Sequence, residues 1–160
     1  MNRKRILTWI PVVLLPVSNL ALIFLTGVEH DVTSVIPWII GAVAEEMFFR
    51  LFLLKTIFLP RMKPALAIFL VSVLFAAMHL LNLRNEIPLP TVLAQMFCPF
   101  CFSTWAGAVV WRKGSILIPM LAHVLLNLTA MTEGTLIPLL VSAMVLADGI
   151  LLMKGNENEQ

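Results

Sequence analysis

Residues 32–59 read VTSVIPWIIGAVAEEMFFRLFLLKTIFL, an apolar run long enough to cross a bilayer that nevertheless carries Glu45, Glu46 and Arg50 near its middle. A charged side chain at the centre of a bilayer costs about 2.5–3.5 kcal/mol on insertion scales. Three of them in one helix imply partners or a task. The length of the run decides the fold class. A membrane strand needs only about 9–11 residues, whereas a membrane helix needs about 20.

The rest of the chain has the same character. It is 60% hydrophobic and 12% charged over 160 residues, with a mean hydropathy of +0.97. Soluble domains carry about 25% charged residues, so this chain cannot cover a water-facing surface. Six apolar stretches stand out, roughly Ile6–Val28, Val32–Leu59, Ala65–Leu83, Thr91–Trp111, Ser115–Met131 and Thr135–Met153. Short connections containing EHD, PRMKP, NLRNEIPLP, RKG and TEG separate them. The expected fold is all-α, a polytopic bundle of about six transmembrane helices forming one integral-membrane domain over 1–160. The first stretch follows the basic run NRKR, but it exceeds a signal-peptide core and lacks a small-x-small cleavage site, so it reads as a retained span.

Lys and Arg in the connections orient the bundle. With the N-terminus inside, the inner side holds Arg3, Lys4, Arg5, Arg61, Lys63, Arg112, Lys113 and Lys154, and the outer loops hold only Arg84 beside Glu29, Asp31, Glu86 and Glu133. Both termini are therefore expected in the cytoplasm. The net charge of +2 reports this topology and no affinity for nucleic acid.

Removing the loops leaves Glu45, Glu46, Arg50, Lys55, His79, His123, Asn127 and Asp148 as the costly residues. At the helical rise, Glu45 and His79 each lie about 21 Å from the cytoplasmic ends of their spans, with Asn127 and His123 about 18 and 12 Å into theirs. Glu46 and Arg50 are four apart and share a face, as do His123 and Asn127, and Phe75 and His79. Glu46 thus has a cation on its own helix. Glu45, rotated by about 100°, has none. A carboxylate, two imidazoles and an amide at a common level suit peptide hydrolysis, which needs a base for water and donors for an oxyanion. Taken singly, each of these groups is explained as well by helix-to-helix hydrogen bonding. Lys55 and Asp148, about 6–8 Å from the cytoplasmic ends, are expected to pair between the second and sixth helices. Cys98 and Cys101 form a CPFC spacing within an apolar helix, where they read as small apolar residues beside a Pro irregularity rather than a redox or zinc motif.

Glu45-Glu46-Met-Phe-Phe-Arg50, Phe75-Ala-Ala-Met-His79 and His123-Val-Leu-Leu-Asn127 match EExxxR, FxxxH and HxxxN in order. In this the chain resembles the CPBP intramembrane proteases (CAAX protease and bacteriocin-processing, or Abi), which include the type II CAAX prenyl endopeptidases. The resemblance covers about residues 36–131. It implies that Glu45 activates water and that His79 helps to hold it. It puts His123 and Asn127 on the oxyanion side and leaves Glu46, Arg50 and Phe75 as supports. A metal-free mechanism is expected; for a zinc mechanism the ligands would be Glu45, His79 and His123.

The implied reaction is endopeptidase cleavage near the C-terminus of a membrane-associated protein or peptide: a CAAX protein, a C-terminal sorting signal or a leader peptide. The expected location is a bacterial inner membrane. A non-enzymatic bacteriocin self-immunity or scaffold protein is the alternative. A proton-relay transporter ranks last because paired halves and broken helices are missing. Substrate identity and oligomeric state are not written in the sequence.

Overall fold

The computed structural model describes residues 13–21, 24–25, 35–129 and 136–154. Among them there are six helices and no strand. Helix α1 covers 13–21, and α2 covers Val35–Glu46 and runs on without a break as a π-helix over Met47–Phe58. Helix α3 covers Pro64–Met78 and continues as a 3-10 helix over His79–Asn85. Helices α4, α5 and α6 cover Leu89–Lys113, Leu117–Thr129 and Leu136–Lys154. The basic run Arg3, Lys4 and Arg5, the loop residues Glu29, Asp31 and Glu133, and most of the first expected span lie outside the described residues.

Local chemistry sets the helix ends. Pro64 opens α3, where its missing N–H would be unpaired in any case. Gly114 closes α4 at φ 68°, and its N–H reaches the Val110 carbonyl at 2.9 Å, the left-handed cap that glycine adopts without strain. Arg112 extends from the end of α4 to the Leu152 carbonyl at 2.9 Å and to the Met153 carbonyl, covering acceptors that the end of α6 leaves open.

Helix α4 is the central element, with residues 101–110 buried without interruption. Lipid tails are as apolar as the side chains, so helices in a bilayer associate by close packing rather than by escape from water. Small residues permit it here. A Cβ on Gly107 would come within 3.0 Å of Ile68 on α3, and one on Gly149 of α6 within 2.8 Å of the Trp105 backbone. Large apolar side chains such as Phe24, Leu25, Ile36, Phe52, Phe69 and Leu117 point outward instead, and so broad an apolar exterior belongs against lipid rather than water. Two helical stretches, Pro64–Asn85 and Leu89–Lys113, are long and apolar enough to cross a membrane.

Ser72 opposite Thr104 and Ile68 opposite Gly107 show that α3 and α4 run antiparallel. Trp105 beside Gly149 and Arg112 beside Leu152 show that α4 and α6 run parallel. The basic residues Arg61, Lys63, Arg112, Lys113 and Lys154 therefore gather at one end of the bundle, and Arg84 lies at the other. One expectation is overturned. Lys55 is exposed, whereas Asp148 is 5% exposed and turned toward the Trp105 indole, so no Lys55–Asp148 ion pair forms. Similar depth brought the two residues to one level but could not show which way each side chain turns, and Lys55, within the π-helix, turns outward.

Candidate active site

Glu45 and Glu46 end the α-helical part of α2, and the switch to i→i+5 hydrogen bonding follows directly. His79 stands where α3 changes to a 3-10 helix. Both helices thus alter their winding at the residues of interest, a habit of functional segments. The π-helix holds Phe49, Arg50 and Leu54 in the core together with Glu46. No Pro or Gly in MFFRLFLLKTIF marks the change in advance.

The two neighbouring carboxylates meet the same imidazole. His123 Nδ1 lies 3.1 Å from Glu46 Oε1, and its Nε2 lies 3.6 Å from Glu45 Oε2. A carboxylate oxygen accepts, so Nδ1–H donates to Glu46, and any hydrogen bond on the other side needs a proton lying between Nε2 and Glu45. Exposure separates the pair. The Glu45 side chain is 40% exposed and that of Glu46 is 0% exposed.

Glu46 also faces Arg50, with Nε 3.1 Å from Oε2, an ion pair by distance whose alignment falls short of a hydrogen bond. The fully buried guanidinium relies on aromatic faces as well, with its carbon 5.0 Å from the Phe75 ring centroid and 5.9 Å from that of Phe102. Phe75 is the hub of the site. Its ring meets Phe49 at 5.0 Å, His123 at 5.7 Å and His79 at 5.8 Å, each edge-to-face.

His79 Nδ1 lies 3.3 Å from the Phe75 carbonyl. A carbonyl can only accept, so the neutral ring carries its proton on Nδ1 and leaves Nε2 as an acceptor. His79 is within electrostatic reach of Glu45 and His123. Asn127 is placed apart. Its Nδ2 donates to the Trp38 carbonyl on α2 at 3.4 Å, so one amide N–H ties α5 to α2 and a second remains.

The structure thus gathers Glu45, Glu46, Arg50, Phe75 and His123 into one cluster, with His79 at its edge and Asn127 one turn of α5 away. His123 sits between the two glutamates. Phe102 was not anticipated, although its ring packs against His123 at 5.2 Å. An aromatic in an apolar span looks the same in sequence whether it faces lipid or the site. Among the described residues no group of three His, Cys, Asp or Glu side chains is placed to hold a metal ion. Cys98 and Cys101 are free thiols, half-buried and buried.

Residues 31–129 match a family model described as type II CAAX prenyl endopeptidase Rce1-like. The chain belongs to the Rce1-like family. The match takes in all three motifs and leaves α1 and α6 outside it. No curated protein and no solved structure matches the chain. Rce1-like membership makes it a membrane protein and a CAAX-type protease, a hydrolase acting on a membrane-associated protein.

Proposed function

We propose that this Rce1-like chain is an intramembrane endopeptidase of the glutamate type, cutting a peptide bond near the C-terminus of a membrane-associated substrate. One observation carries the reading: two adjacent glutamates share one imidazole, and only Glu45 is open, at 40% exposure against 0%. Water and substrate can reach Glu45, while Glu46 is sealed between His123 and Arg50.

In the proposed reaction, Nε2 of His79 accepts a hydrogen bond from the attacking water and orients it. Glu45 takes a proton from that water as its oxygen bonds to the scissile carbonyl carbon. The neutral Glu45 carboxyl then donates to Nε2 of His123, which Glu46 holds in place through Nδ1–H. The second amide N–H of Asn127 stabilises the developing oxyanion. When the C–N bond breaks, the proton on Glu45 passes to the leaving amine. Each step uses groups of this chain alone.

The bundle is proposed to cross the membrane six times with both termini in the cytoplasm, in a bacterial inner membrane. The gathering of basic residues at one end supports this orientation. The test is hydrolysis of a synthetic prenylated CAAX peptide by the purified protein and by Glu45→Gln. A folded Glu45→Gln protein that cleaves at the native rate would sink the mechanism.

A further inference from the structure

Asn82 lies three residues beyond His79, within the 3-10 stretch His79–Asn85. In a 3-10 helix residues i and i+3 eclipse, so Asn82 stands over His79, about 6 Å further along the axis. An α-helical continuation would have set it about 60° off that line. Asn82 Nδ2 donates to Gln95 Oε1 of α4 at 2.8 Å, and both residues are half-buried.

That bond leaves groups unused. Asn82 Oδ1 still accepts, Gln95 Nε2 still donates, and neither has a partner among the described residues. Exchanging oxygen and nitrogen in both amides changes which residue offers which group, but one acceptor and one donor remain. The main chain adds to this, because Pro99 has no N–H to give the Gln95 carbonyl four residues earlier. Both residues stand toward the Arg84 end of the bundle, with Asn82 three residues before the end of the 3-10 stretch and Gln95 six residues into α4. A donor and an acceptor side by side complement the N–H and C=O that an extended peptide presents along its edge.

We propose that Asn82 and Gln95 dock the backbone of the substrate peptide in an extended conformation. An offset of about 6 Å along a 3-10 helix corresponds to about two residues of extended chain. The contacted residue therefore lies about two positions from the scissile bond. This rests on the reading that the bond is cut at Glu45.

The test separates docking from cleavage by measuring binding of a farnesylated CAAX peptide to the full-length Glu45→Gln protein in detergent. Asn82→Leu with Gln95→Leu replaces both amides by apolar groups of similar shape, so the helices keep their packing. Affinity is expected to fall about a hundredfold, the worth of the two hydrogen bonds at about tenfold each. Methylating the peptide nitrogens one at a time is expected to weaken binding to the parent about tenfold at a single position. The same methyl should add no further loss in the double-leucine protein. Equal affinities of the two proteins, additive losses, or no saturable binding would each overturn the proposal. Normal peptide discrimination with no hydrolysis by the native protein would instead remove the role of Glu45 and leave the docking site standing.

Discussion

His123 Nδ1 lies 3.1 Å from Glu46 Oε1, joining α5 to the buried carboxylate of α2 across 77 residues of chain. The bond fixes the ring, and the fixed ring presents Nε2 to Glu45. Glu46 is therefore tied to Glu45 through His123, while Glu45 itself is 40% exposed.

The two glutamates should fail differently when changed. Glu45→Gln is expected to lower kcat by about 10²–10⁴, the usual worth of a general base, with little change in thermal stability. Glu46→Gln leaves Arg50 without its carboxylate, and breaking a buried pair costs about 3–5 kcal/mol. Thermal unfolding in detergent should show that loss for Glu46→Gln alone.

A double-mutant cycle on Glu46→Gln and His123→Gln should return a coupling energy of about 0.5–3 kcal/mol, as for contacting members of one network. Pairing Glu46→Gln with a change at exposed Lys55 should give additive losses. Non-additivity at Lys55 would mean that the π-helix does not hold it away from the site.

Phe75 supports four groups at once, so its truncation should be costly although it carries no reactive atom. Phe75→Ala is expected to destabilise by about 3–5 kcal/mol. Phe75→Leu keeps most of the volume but removes the ring face beneath Arg50, a contact worth about 2 kcal/mol when desolvated. Chemical denaturation of the two variants measures both terms.

Asn127→Ala should separate its two N–H groups. Losing the Trp38 contact should cost about 1 kcal/mol of stability. Losing an oxyanion donor should cost about 10²–10³ in kcat. A variant that loses stability but keeps its kcat would confine Asn127 to tying α5 to α2.

Cleavage is expected to survive prolonged dialysis against a strong chelator, because no step of the proposed glutamate mechanism uses a metal. Loss of activity on dialysis and its return with zinc, tracked by metal analysis, would replace the glutamate mechanism with a metal one.

The apolar stretches and their spacing were enough to establish an all-helical chain, since a 20-residue apolar run has few other ways to satisfy its backbone in lipid. The three motifs likewise picked out polar residues that the bundle brings together, because an intramembrane charge is too costly to be carried without a partner or a role. Their roles relative to one another were not legible there. Periodicity gave Glu45 no partner, since it compares neighbours on one helix and cannot show His123 approaching from α5. It also assumed 3.6 residues per turn, and so missed the π-helix after Glu46 and the 3-10 turn that stacks Asn82 over His79. Phe102 carried no signal at all. Composition and local spacing determined what kind of protein this is and which costly polar residues its helices carry. Only the packing of α2, α3, α4 and α5 decided which glutamate is sealed and which is open, because burial belongs to the assembled bundle and to no single helix.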